Sequence, residues 1–337
     1  MLWMATGVRC TSVEEEDIIF YKQHGCSALK FGIESGSQVI LDLMEKFFTL
    51  EDVVKRVKLC HKHRVYSPLA VMVGMPGETE NTALETGRLI GNIAADLGIE
   101  PKKMGYDIFY ALPLPGTPLY EYGEKLGVID PSPQGTGEYL ERVTDAGTYK
   151  RYYVNLNGAP DSEVVFWDVL IAMEASRTYR RLLADRAKSL SPLPNQISEG
   201  TIISSAIDKK KKSNPRYSLK YTALTFTSIT YFIDTIVIGS ACVDALPRYL
   251  IYPLVKMLNY IEFVLQSLDR RNTNNNIFAM RKVQVPRLDT QNKASKKNPK
   301  HRSLRAYVEE MDYQHSNFIK GLSLEHLKAR SALVKGL

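Results

Sequence analysis

Short apolar runs alternate with amphipathic stretches through the first 130 residues of this chain. Leu2 to Val8 predicts a strand. Ser12 followed by Glu15 has capping-box spacing and predicts a helix ending at Gly25. Leu29 to Ile33 predicts the next strand, and Ser37 stands as the N-cap of a helix over Val39 to Phe47. Thr49 with Asp52 caps another helix, in which Val53, Val54, Val57 and Cys60 recur at helical spacing. Leu69 to Val73 is strand-like and ends in GMPGET, Gly74 to Thr79. Thr79 opens a long helix with Leu89, Ile90, Ile93 and Leu97 on one face, closed by Gly98. Tyr106 to Leu112 is strand-like and runs into PLPGTPLY, Pro113 to Tyr120. Strand midpoints near residues 31, 71 and 109 lie about 40 residues apart. That rhythm implies parallel strands joined by right-handed helical crossovers. The expected fold is α/β: a partial (βα) barrel of about four βα units, followed by a mostly helical C-terminal region. Four strands are too few to close a barrel of eight, so the sheet is open or part of it is missing.

Beyond Gly135 the pattern changes. Residues 136–188 predict an extension of irregular structure and helix, with Trp167, Leu170, Ile171 and Ala175 as its apolar stripe. Residues 189–218 have linker composition: SPLP, small polar residues and the run Lys209 to Lys212. Residues 219–268 form an apolar helical block. Residues 269–302, rich in Asn, Lys and Arg, predict a disordered basic segment. Residues 303–337 predict a last amphipathic helix.

The chain of 337 residues is 44% apolar and 24% charged, ordinary values for a globular protein. Its net charge of +7 is unevenly spread: residues 1–137 carry 13 Lys/Arg against 18 Asp/Glu, and the rest carry 31 against 19. The basic excess therefore belongs to the second half, where a solvated tail is the simplest account. The four cysteines, Cys10, Cys26, Cys60 and Cys242, include no C-x-x-C pair, which with no secretory leader favours free thiols in a cytoplasmic setting. The stretch Ile229 to Val255 is interrupted by Asp234, Asp244, Pro247 and Arg248, and its longest clean run falls far short of the roughly 20 residues that span a bilayer.

Candidate chemistry gathers at the predicted strand ends. FGIESGSQ, Phe31 to Gln38, places Glu34, Ser35 and Ser37 at the carboxyl edge of a parallel sheet, where α/β folds bind ligands. Glu34 is a ligand-facing carboxylate or a solvated loop residue, and Ser37 serves equally as a helix cap. Lys46 stands at a helix end, where its charge favours the helix dipole. Arg9 either faces an anion inside the barrel or makes an exposed ion pair. Gly74, Pro76 and Gly77 follow a strand and precede a helix, so their backbone can approach a ligand closely. Pro113, Pro115 and Gly116 shape a loop at the barrel mouth. His61 and His63 diverge by about 200° on a helix and cannot share one metal ion. The run Lys209 to Lys212 has no interleaved aromatics, which argues against specific nucleic-acid binding.

Four ordered pieces, at matching spacing, resemble the radical S-adenosylmethionine superfamily, and more narrowly its members with an N-terminal cobalamin-binding domain. They are the Arg9-containing strand with its acidic helix ending in HGC, KFGIESGSQ, VMVGMPGET and YALPLPGTPLY. YKRYYVNLNGAP, Tyr149 to Pro160, and FWDVL, Phe166 to Leu170, resemble that family's C-terminal extension. The resemblance covers about the first 180 residues and implies a partial barrel whose site lies at the carboxyl ends of the strands. It implies S-adenosylmethionine as cofactor, with Glu34 against its ribose, Lys46 against its carboxylate and the Gly74, Pro76, Gly77 turn against its adenine. It also implies a [4Fe–4S] cluster on a C-x-x-x-C-x-x-C triad, and a cobalamin, in a reaction of hydrogen abstraction or methyl transfer at an unactivated carbon.

The triad spacing is absent from these 337 residues, and Cys10, Cys26 and Cys60 do not replace it. On the resemblance, the chain is expected to hold the ribose and adenine half of the site. It would be truncated ahead of the cluster segment and inactive alone unless an upstream polypeptide supplies the rest. The alternative is a non-catalytic scaffold or gene relic whose open sheet needs a covering partner. Either state predicts self-association or aggregation of the isolated chain, with no assigned catalytic or metal-ligating residue.

Overall fold

The computed structural model describes residues 1–143, 154–190, 248–272, 284–288 and 303–312. The expected linker of 189–218 lies almost wholly outside them, as do residues 219–247, most of 269–302, and 313–337.

Four strands form one parallel sheet in chain order: β1 (Trp3–Val8), β2 (Cys26–Glu34), β3 (Leu69–Val73) and β4 (Tyr106–Tyr110). Each crossover is helical: α1 (Glu15–Gln23), α2 (Gln38–Leu43) with α3 (Leu50–Lys62), and α4 (Glu80–Leu97) with the short α5 (Pro101–Met104). Helices α6 (Pro118–Lys125), α7 (Pro133–Val143) and the 30-residue α8 (Asp161–Leu190) follow. A helix over Arg248–Asn272 and another over 304–312 complete the described residues. The parallel α/β arrangement of a partial (βα) barrel with a helical C-terminal region is therefore present.

Strand alternation separates two faces of the sheet. Leu29, Phe31 and Ile33 of β2, with Leu69, Val71 and Val73 of β3, are fully buried in one core with Val57 of α3, Ile90 and Ile93 of α4, and Trp167 and Leu170 of α8. The opposite face carries Lys30, Gly32 and Glu34 of β2, Met72 of β3, and Asp107 and Phe109 of β4, all at least partly exposed. There Lys30 pairs with Asp107 across the sheet at 2.5 Å, its ammonium 5.0 Å from the Phe109 ring centre. A second apolar cluster sits beyond the ends of β3 and β4. Ile40 and Met75 meet Ala111, Tyr122, Ile129, Leu156 and, from the 304–312 helix, Leu304 and Val308. This plug leaves the sheet's carboxyl edge open beside β1 and β2.

Caps at α3 and α4 form where the spacing placed them. The Thr49 amide donates to Asp52 at 2.8 Å while Asp52 N donates back to Thr49 Oγ1 at 3.2 Å, and Thr79 and Thr82 repeat the exchange at α4, which closes on Gly98. Two local expectations need correction. Helix α1 begins one residue after Glu14, whose amide donates to Asp17 at 2.8 Å, whereas Ser12 sits in a preceding 3-10 turn (Cys10–Ser12) and donates to the Arg9 carbonyl. Helix α2 ends at Leu43 rather than Phe47, because Glu45 and Phe47 both take positive φ. Ser37 occupies the N-cap position, yet its hydroxyl has no cap bond.

Among the described residues, helices α4 and α8 pack more extensively than any other pair of helices, and glycines lie between them. A Cβ on Gly87 would lie 2.7 Å from the Ile171 carbonyl oxygen, and one on Gly91 would lie 2.5 Å from that of Ala175. Glu174 of α8, fully buried, ties this pair to the Arg248–Asn272 helix: it accepts from Arg88 Nε at 3.1 Å and Tyr252 OH at 2.9 Å.

Candidate functional site

At the open carboxyl edge, β1 and β2 frame a cavity of about 170 Å³ lined by Gly7, Arg9, Gly32, Glu34, Glu45, Lys46 and Phe48. Small-molecule sites are commonly 300–1,000 Å³, so this one matches a subsite of sugar size rather than a whole nucleoside cofactor. The chain reaches it by bending sharply as β2 ends. Glu34 takes φ +62, and Glu45 and Phe47 take +53 and +52, so three of the four described non-glycine residues with positive φ lie around this cavity. Each such residue costs on the order of 1–3 kcal/mol, strain that clusters at binding sites.

The side chains explain the bend. The Glu34 carboxylate folds back over Gly32, where a Cβ would lie only 3.0 Å from Oε1. A Cβ at position 32 would require the Glu34 carboxylate to give by a few tenths of an ångström. Lys46 Nζ donates to the same Oε1 at 3.0 Å, and Arg9 in turn donates to the Lys46 carbonyl. Arg9, Glu34 and Lys46, more than ten residues apart in sequence, thus form one chain of contacts. Lys46 lies three residues beyond the end of α2, and its charge is directed to Glu34.

The two serines lie beneath this pocket. Ser35 and Ser37 are buried, and the turn they share is pinned to α4: Gly36 N donates to Thr86 Oγ1 at 2.9 Å and Ser37 N to Ser35 Oγ at 3.1 Å. Ser37 Oγ is buried without a partner among the described residues.

Gly74, Pro76 and Gly77 are likewise buried and do not line the cavity. Their turn is organised by Glu78, whose Oε2 accepts from Gly74 N at 2.6 Å and Met75 N at 3.2 Å while Oε1 has no partner among the described residues. From the other side Asn157 Nδ2 donates to the Met75 and Glu78 carbonyls at 2.6 and 3.0 Å, joining the Val154–Pro160 segment to the strand end. Sequence reasoning passed over Gly32, Glu78, Thr86 and Asn157. For Glu78 a signal was present: a carboxylate four residues after a strand-terminal glycine can reach back to its amide.

Burial pushes the Glu78 carboxyl up to about 8, against the lowering effect of the two amides. The unfolded chain loses this proton near 4.5 and the folded chain near 8, so the native state binds more protons in between and stability falls as pH rises through that window. For one proton the slope approaches about 1.4 kcal/mol per pH unit. Glu78→Gln, which keeps an acceptor and cannot ionise, is expected to flatten it. Urea denaturation at a series of pH values checks this; parallel slopes in both proteins would refute it.

The three described cysteines, Cys10, Cys26 and Cys60, are buried free thiols. Burial pushes Cys60 up to about 12 and Cys10 up to about 11, and no cluster of three His, Cys, Asp or Glu capable of holding an ion occurs among the described residues. Metal ligation requires thiolates, which burial disfavours here. The three thiols do not fit a [4Fe–4S] cluster. Cys10, Cys26 and Cys60 are expected to resist alkylation by iodoacetamide in the native protein and to react once urea unfolds it, as read by mass spectrometry.

Residues 3–90 match the radical SAM superfamily, from β1 through most of α4. Over this segment the chain is similar to that superfamily. A tRNA-2-methylthio-N(6)-dimethylallyladenosine synthase of Sulfurihydrogenibium is 33% identical over 98 residues, covering 28% of this chain and 20% of the relative. An uncharacterized methyltransferase of Pyrococcus horikoshii is 28% identical over 120 residues, 36% of this chain and 24% of the relative. An anaerobic magnesium-protoporphyrin IX monomethyl ester cyclase of Cereibacter sphaeroides is 23% identical over 154 residues, 42% of this chain and 24% of the relative. The chain spans about a quarter or less of the length of these curated relatives. No described helix is long and apolar enough to cross a membrane.

Proposed function

We propose that the β1–β2 pocket holds the ribose of S-adenosylmethionine within a radical enzyme domain of the cobalamin-associated kind. The observation that carries this is the Glu34 carboxylate, held in left-handed backbone over Gly32 at the carboxyl end of a parallel strand. Two vicinal hydroxyls suit a carboxylate, which accepts from both at once. Lys46 occupies Oε1 alone, and the 170 Å³ space accepts a sugar ring. Arg9 and Lys46 supply positive charge beside it for an anionic group such as the carboxylate of the cofactor's methionine moiety. When bound, and given one electron by a reduced [4Fe–4S] cluster held by other residues, the cofactor would supply C–S cleavage to a deoxyadenosyl radical that abstracts hydrogen from an unactivated carbon. The residues described here bind and orient it. The cobalamin assignment is supported by the order and spacing of KFGIESGSQ, VMVGMPGET and YALPLPGTPLY, and no described residue is assigned to the corrinoid.

Calorimetric titration tests the ribose assignment. S-adenosylmethionine and 5′-methylthioadenosine are expected to bind, and 2′,3′-dideoxyadenosine to bind at least tenfold more weakly than adenosine. Equal affinity for adenosine and its dideoxy analogue would remove Glu34 from the site.

A further inference from the structure

The 304–312 helix, far beyond the pocket residues in sequence, returns to the pocket in space. It is amphipathic: Leu304 and Val308 are buried, Tyr307 and Met311 pack partly buried beside them, and Arg305, Glu309 and Asp312 are exposed. Ser303 caps its first turn, the hydroxyl accepting from Ala306 N at 3.1 Å.

The apolar face of this helix enters the cluster that also holds Ile40 and Leu43 of α2. Helix α2 is six residues long, far below the roughly 12–15 that sustain an isolated helix in water. Its position is therefore set by what it packs against. Its last turn runs directly into the pocket wall: Glu45 N donates to the Asp42 carbonyl at 3.1 Å and Lys46 N to that of Leu41 at 3.0 Å. Glu45, Lys46 and Phe48 then line the cavity. Two ion pairs fix the ends of the distant helix. Arg305 Nε stands 3.6 Å from Glu45 Oε2 in the wall itself, and Asp312 pairs with Lys125 of α6.

We infer that the 304–312 helix is a strap that holds the Glu45–Phe48 wall in place, with Leu304, Arg305 and Val308 as positioning residues. Glu45 and Phe47 both keep positive φ, a conformation that persists only where the surroundings over-determine it. Docking of the strap against the α2 cluster and Glu45 supplies part of that constraint, and its release lets the wall relax. Lys46, between the two strained residues, then loses its fixed approach to Glu34. By linkage, a ligand that needs this wall binds more weakly when the strap is released. That last consequence rests on the ribose reading; the positioning of the wall does not.

Hydrogen exchange on the full chain, read by mass spectrometry, tests the strap without any ligand. Leu304→Ala with Val308→Ala should speed exchange at residues 44–48 by roughly tenfold while β2 and β3 keep their protection. Ile129→Ala, which trims the same cluster where it meets Gly123 of α6, should leave 44–48 unchanged. Should the double variant lose protection throughout, Arg305→Glu stands in for it: this exposed change sets a carboxylate beside Glu45 and should speed exchange at Lys46 and Phe47, whereas Arg305→Lys should keep the wild-type rate. Adenosine affinity should fall roughly fivefold or more in the variants that speed exchange. Wild-type exchange at 44–48 in the folded double variant, or in Arg305→Glu where it replaces it, would overturn the inference and leave the ribose reading intact. Failure of the wild-type chain to bind adenosine would remove the ribose reading, and exchange at 44–48 would still decide whether the strap positions the wall.

Discussion

Gly91→Leu is expected to be among the most destabilising single substitutions in the described residues, lowering unfolding free energy by about 3 kcal/mol. In an ordinary helix the change would be favourable, since glycine costs roughly 1 kcal/mol relative to good helix formers. Here the sign reverses. The first added atom already lies 2.5 Å from the Ala175 carbonyl oxygen and 2.7 Å from Thr178 Cβ, and helix backbone cannot yield as a flexible side chain can. Gly87, one turn earlier, meets Ile171 and Glu174 in the same way. Separating α4 from α8 would also loosen Glu174, whose bonds to Arg88 and Tyr252 hold the Arg248–Asn272 helix. Gly91→Ala should show the same sign with a smaller loss. Urea denaturation midpoints check the series; a midpoint for Gly91→Ala above wild type would mean that propensity outweighs the contact.

Glu34→Gly is expected to separate binding from stability. Glycine relieves a left-handed backbone that costs a side-chain-bearing residue roughly 1–2 kcal/mol, while loss of the partly exposed Lys46 pair forfeits about 0–1 kcal/mol. Thermal stability should therefore stay within about 1 kcal/mol of wild type or rise slightly. Affinity for S-adenosylmethionine should fall tenfold to a hundredfold, the value of charge-assisted hydrogen bonds to the ribose at about 1.5–3 kcal/mol. A stable variant that binds as tightly as wild type would show that the strain at Glu34 serves no ligand. Conversely, a variant that loses several kcal/mol of stability would show that the residue is structural.

Sequence pattern alone determined the βα rhythm, because burial on one face of a strand or helix imposes its period directly on the residues. Leu69–Val73, the Thr49 and Thr79 caps and the Gly98 stop are local features, decided within a few residues, and they formed where the pattern placed them. The ends of α1 and α2 were less legible. At α1, Glu14 with Asp17 competed with Ser12 and Glu15 for the same role. At α2, the helix ends at Leu43, positive φ at Glu45 and Phe47 follows, and Lys46 and Phe48 line the pocket.

Tertiary structure decided what those elements share. The strand ends that looked alike in sequence have different fates: the Glu34 turn opens onto a cavity, while the Gly74–Gly77 turn is sealed beneath Asn157 and the plug of α6, α7 and the 304–312 helix. Which edge stays open depends on contacts such as those of Asn157 with Met75 and Glu78, 82 and 79 positions apart. No local pattern encodes such contacts, because each partner is an ordinary Asn, Tyr or Leu in its own neighbourhood. The same holds for Gly91, an unfavourable helix residue in sequence and a necessary one once α8 lies against it. Composition and spacing thus specify the elements, and the packing of distant segments selects which strand ends open onto a cavity.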